Sequence, residues 1–130
     1  AALIRSVIHQ ARTFLREMGE FYPFGAVVNA EGHLQPYALH AEGDALDAMK
    51  LRKELWRLLD EDMLHGSILG YATGVNVRAR KPGTQQIVDA VEIKLCHKDL
   101  DATAYFMEYE GQGSDMRFFE LFEGAPDLDR

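Results

Sequence analysis

With a single cysteine, Cys96, the chain cannot close an internal disulfide, so its 130 residues must fold around a hydrophobic core. A chain of that length can bury roughly two thirds of the surface it exposes when unfolded, enough for one domain. A lone thiol suits a reducing compartment, and the cytoplasm is the expected location. No apolar run approaches the ~20 residues that cross a bilayer, so a soluble chain with no membrane partner is expected. Positive charge is also scarce: 14 Lys and Arg stand against 21 Asp and Glu, a formal charge of -7. Nucleic acid is thereby excluded as a generic partner, because phosphate contacts need clustered cations.

Motifs that carry chemistry are missing too. There is no Walker loop, no G-x-G-x-x-G after a strand and no G-x-S-x-G elbow. His33, His40, His65 and His97 show no recognised zinc spacing, and Glu61 with His65 lacks further ligands, so neither metal nor cofactor is expected. Cys96 and His97 are adjacent. On a strand they point to opposite faces and cannot act as nucleophile and base.

What is present is organised around Gly19-Glu20-Phe21-Tyr22-Pro23-Phe24-Gly25-Ala26, where a helical pattern stops and a strand begins. Leu3, Ile4, Val7, Ile8, Ala11, Phe14, Leu15 and Met18 form the helix stripe, and Gly19 ends it. Its first sixteen residues are basic and free of acid, as in a transit peptide, but the continuous stripe reads as a core helix. From Phe24 to His40 two strands flank Asn29-Ala30-Glu31-Gly32, a hairpin in which Gly32 takes positive φ; Pro36 puts the second strand at an edge. Asp44 caps a second helix running to His65, with Ala45, Ala48, Leu51, Leu55, Leu58, Leu59 and Met63 as its stripe and Trp56 at one margin. Asp60, Glu61 and Asp62 crowd its last turns, where Arg57 and solvent, or a basic surface, must meet them. Four strands follow, over 67–80, 86–97, 102–110 and 116–122. Gly70 and Gly74 make room for rings or bending.

The expected fold is a single α+β domain over 1–124, a six-stranded antiparallel sheet with two helices packed on one face. The order is α-β-β-α-β-β-β-β, and 125–130 is a frayed tail. Up to the fifth strand that order resembles roadblock-like modules. The run Glu17 to Ala26, the hairpin Asn29 to His33 and the later Val88-Asp89-Ala90-Val91-Glu92-Ile93 together resemble a family of small bacterial proteins with no assigned activity. That resemblance implies a bacterial cytoplasmic protein.

Asp89 shares its parity with Ile87, Val91, Ile93 and Leu95, so a regular strand would point it inward, whereas a bulge or strand start would leave it exposed. Aromatic bulk falls on both faces of the last strands: Tyr105, Met107 and Tyr109 share one parity, while Phe118 and Phe119 oppose each other. With both helices on one face, the other needs a cover, and these five residues are the candidate interface. The expected function is a non-enzymatic protein-interaction or regulatory module, immunity- or adaptor-like, partnered by a second copy of itself or another protein; surplus acid beyond Asp101 gives it a face for a basic partner. The alternative is a small-molecule sensor or enzyme with a pocket between the first helix and the sheet, lined by Tyr22, Phe24, Tyr37, Tyr71 and Asp89 with a histidine.

Overall fold

The computed structural model describes residues 2–38 and 48–124. In chain order the elements are α1 (Ala2–Met18), β1 (Phe24–Asn29), β2 (Leu34–Ala38), α2 (Ala48–Leu64), β3 (Ile68–Arg80), β4 (Ile87–His97), β5 (Thr103–Glu110) and β6 (Arg117–Gly124). One open sheet holds all six strands in the order β2-β1-β3-β4-β5-β6, and every neighbouring pair is antiparallel. Class, strand number and element order are those read from the sequence. The cap at Asp44 and the tail 125–130 lie outside the described residues.

Local chemistry explains the boundaries. Gly19, at φ 78°, returns its N–H to the Leu15 carbonyl at 3.0 Å, and a side chain there would be strained in that left-handed conformation. In the β1–β2 turn Asn29 Oδ1 accepts from the backbone N–H groups of Glu31 and His33, at 3.0 and 2.9 Å. Pro36, which has no N–H to donate, sits in β2 at one edge of the sheet.

The helices do not share a face. Along a strand, successive side chains point to opposite sides, and the two helices collect opposite parities. Leu3, Val7, Ala11 and Leu15 of α1 pack with Phe24, Ala26, Ala72, Val91, Ile93 and Met107. Leu55 and Leu59 of α2 pack with Val27, Tyr71 and Cys96. The sheet is therefore the middle of three layers, which corrects the expectation of both helices on one side. The reason is topological. β2 and β3 both run antiparallel to β1, one on each side of it, so α2 is a crossover over β1 and its hand fixes its face. α1, entering ahead of β1, covers the other. A third cluster, Val75, Val77, Ala79, Ala90 and Phe106 with Phe122, continues the α2 side beyond the helix's N-terminal end. Apolar residues on both faces of the strands thus find cover inside the chain.

Met18 departs from the helix stripe: it is 73% exposed at the last turn of α1. The helix is also the shorter element. A 17-residue helix spans about 25 Å, whereas the 13 residues of β3 reach about 43 Å, so β3 and β4 outrun the helix and leave an overhang beyond its C-terminus.

Candidate functional site

That overhang is a trough. One lobe, about 670 Å³, lies among Arg16 and Glu17 of α1, Asn76 and Arg78 of β3, Asp89 of β4, Tyr109 of β5 and the Gly111–Gly113 loop. The other, about 590 Å³, is walled by Phe14, Met18, Phe21, Tyr22, Pro23 and Phe24. Asn76 lines both.

The apolar lobe exists because the aromatic corner is rigid. Phe24 meets Phe14 and Phe21 edge-on, each with ring centroids 5.3 Å apart, and Phe14 lies 6.0 Å from Phe21. Gly74 admits the Phe24 ring: a Cβ there would stand 2.8 Å from Phe24 Cζ and 2.9 Å from Val7 Cγ1. Gly70 likewise makes room for the His97 ring. With three aromatics locked together, Tyr22 is left 59% exposed at the rim.

The polar lobe is set by Tyr109. Its hydroxyl donates to Asn76 Oδ1 at 2.6 Å. Burial first, then the charge of Asp89, pushes the phenol up from its ordinary range, so it stays protonated at neutral pH and keeps this donor role. Arg78 Nε is 3.9 Å from Asp89 Oδ1, and both side chains are well exposed. Arg16 lies over the Phe118 ring, 5.0 Å from its centroid, with Arg12 at 5.1 Å.

The sequence-derived pocket is divided by the sheet. Tyr22 and Phe24 line the apolar lobe and Asp89 the polar one. Tyr37 and Tyr71 belong to the α2 side, and among the described residues no histidine lines either lobe. Asp89 does point to the α1 face, as parity demands, on a continuous β3–β4 ladder without a bulge, but it stands past the helix end and is 62% exposed. Of the five interface candidates, Met107 is buried under α1, Tyr105, Tyr109 and Phe118 pack against that core, and Phe119 is at the surface, beside Arg117.

A second constellation, beneath α2, is not legible in the helix pattern. Arg52 and Glu92, 2% and 0% exposed, pair at 2.9 Å. Arg52 and Lys94 lie over the Trp56 ring at 4.3 and 4.1 Å, and Trp56 Nε1 donates to Thr73 Oγ1 at 3.0 Å. Tyr71, fully buried, donates to Asp60 Oδ1 at 2.6 Å, which gives one of the crowded acids its partner; Arg57 binds Glu54 and Glu61. Burial pushes both the Tyr71 phenol and the Cys96 thiol up. Trp56, partly buried at the margin of the helix stripe, joins these groups through its ring and its N–H. The available signal was the pairing of Glu92 and Lys94 on one parity of an otherwise apolar strand. Arg52, Tyr71, Thr73, Glu92 and Lys94 are enclosed and serve the packing of α2.

Among the described residues no three His, Cys, Asp or Glu side chains converge as metal ligands do, and no helix is long and apolar enough to cross a membrane. Fold and trough together define an α+β domain of three layers with an amphipathic surface groove. Comparison with protein-family models, with curated proteins and with solved structures finds no match.

Proposed function

We propose that this protein is a non-enzymatic interaction module that takes an extended segment of a partner protein into the trough at the end of α1. The observation that carries this reading is the adjoining of two lobes, one aromatic and one polar, at Asn76, with Met18 and Tyr22 standing at the rim. Tyrosine contributes rigid amphipathic area to protein interfaces and methionine adaptable area. A small-molecule site would enclose most of its ligand. Tyr37 and Tyr71 lie on the α2 side, apart from Tyr22, Phe24 and Asp89, so these five residues line no common pocket, which favours the interaction reading.

Selection of a phage-displayed random dodecapeptide library on the whole protein tests this. Enriched peptides should compete with one another, and Tyr22→Ala should weaken them by about tenfold or more. Binders indifferent to Tyr22 and Met18, or an absence of enrichment, would exclude the trough as the docking site.

A further inference from the structure

Beyond that reading, we infer a second docking surface, on the outer side of α1, that takes a short acidic segment of a partner protein. Arg5, His9, Arg12 and Arg16 follow one another at i, i+4, i+7 and i+11, a spacing that lines them up along one stripe of the helix. No Asp or Glu occurs among the first sixteen residues. The stripe is therefore cationic along its length, in a chain whose formal charge is -7.

Where it leans towards β6 the stripe is held in place. The guanidinium carbons of Arg12 and Arg16 stand 5.1 and 5.0 Å from the centroid of one ring, that of Phe118. A ring face orients a guanidinium without neutralising it, and like charges at i and i+4 repel each other. The carboxylates that flank the stripe, Glu17 on the helix and Asp115 and Glu123 at the two ends of β6, form no ion pair with Arg5, Arg12 or Arg16 among the described residues. Two oriented guanidinium forks side by side suit a carboxylate, which accepts from both and relieves their repulsion.

The strand beside the stripe supplies the apolar half of the surface. α1 lies over β1, β3 and β4, so β6 passes outside it. Leu121 of β6 pairs in register with Met107 and so shares the α1 face with Phe118, yet it is 38% exposed. A segment laid along the stripe therefore meets cations on one side and an aliphatic side chain on the other. Its length is bounded as well: Arg5 to Arg16 spans about 16 Å of helix, the reach of about five extended residues. A long polyanion or a charged membrane would run past both ends of the stripe onto a surface of its own sign, and that selects a short acidic segment.

Amide chemical shifts of the full chain, titrated with Ac-Glu-Glu-Leu-Glu-Glu-amide and with Ac-Lys-Lys-Leu-Lys-Lys-amide, test this. The Glu peptide should shift Arg12, Arg16, Phe118 and Leu121 and should bind at least about tenfold more tightly than the Lys peptide. Salt at about 0.5 M should weaken it severalfold. The exposed double change Arg12→Gln, Arg16→Gln should remove most of the binding, while Arg12→Lys, Arg16→Lys should retain more of it. Tyr22→Ala, at the trough, should leave the Glu peptide's affinity as it is, which separates this surface from the peptide site proposed above. Equal affinity for the two peptides, no binding of the Glu peptide, or full binding to the double Gln variant would overturn the inference. Shifts confined to the trough and lost in Tyr22→Ala would also overturn it, because the acidic segment would then belong to the trough. Self-association of the free chain that the double Gln change abolishes would give the stripe to a second copy instead.

Discussion

Beneath α1 the sheet offers Phe24, Ala26, Ala72, Val91, Ile93 and Met107 to an aliphatic stripe. Beneath α2 the alternate residues of the same strands offer Thr73, Glu92 and Lys94. The polar or charged residues buried among those described, Arg52, Thr73, Glu92, Lys94 and Glu108, all belong to the α2 side. One sheet thus holds its two helices by different means. Non-directional burial holds α1, where each large aliphatic side chain contributes about 1.5–3 kcal/mol. Directional pairs register α2: Arg52 to Glu92, Trp56 to Thr73 and Tyr71 to Asp60 each fix one turn of the helix against one strand position. The trough belongs to the dry side, because only there does the sheet extend past a helix C-terminus walled by locked aromatics.

Breaking the polar side should cost most. Glu92→Ala removes the Glu92 carboxylate from its pair with the buried Arg52 and should lower stability by about 3–5 kcal/mol in urea unfolding. The double change Arg52→Met, Glu92→Leu should recover most of that loss, since both charges then leave the interior together. If the single change costs under about 1 kcal/mol, the pair does not hold α2.

On the dry side the sensitive quantity is volume. Gly74→Ala places a methyl group against Phe24 and Val7, and overpacking of this kind should cost about 1–3 kcal/mol. Gly70→Ala meets the half-buried His97 ring, which can give way, and the Cys96 carbonyl oxygen at 3.1 Å, which needs a backbone shift of only a few tenths of an ångström, so it should cost less. Equal costs would remove the distinction between a locked and a yielding neighbour.

A smaller effect separates the faces by pH. Tyr37, Tyr71 and Cys96 on the α2 side, and Tyr109 on the α1 side, all have their acid groups pushed up, chiefly by burial. As pH rises through the free tyrosine value of 10.0, the unfolded chain loses protons that the folded chain keeps. Stability is therefore full below that pH and falls as pH rises above it, with Cys96 contributing from its free value of 9.0 upward. The urea midpoint should drop between pH 9 and pH 11. Tyr71→Phe should flatten that drop more than Tyr109→Phe, because Tyr71 is fully enclosed and its shift is the larger. A midpoint independent of pH over that range would contradict the assignment.

Much of the scaffold could be read from neighbours in sequence. Gly19 ended α1, Asn29 turned the hairpin and Gly74 made room for a ring, because turn chemistry and strand alternation act over a few residues. The candidate site was half legible. Tyr22, Phe24 and Asp89 reach the trough, whereas Tyr37 and Tyr71 have the same composition and alternation but sit on the opposite face. Asn76, where the lobes meet, carries no local signal at all. Its place depends on β3 and β5 lying two strands apart across β4, which brings Tyr109 within reach.

The sequence by itself determined eight elements, their order, an antiparallel sheet and an aromatic corner after α1. Periodicity and turn chemistry are local and leave little alternative. Tertiary structure alone decided which face each helix covers, since an apolar stripe specifies burial without specifying a side. It also decided that Asp89 stands in solvent on an inward-pointing parity, for the cover over a strand ends where the helix above it ends.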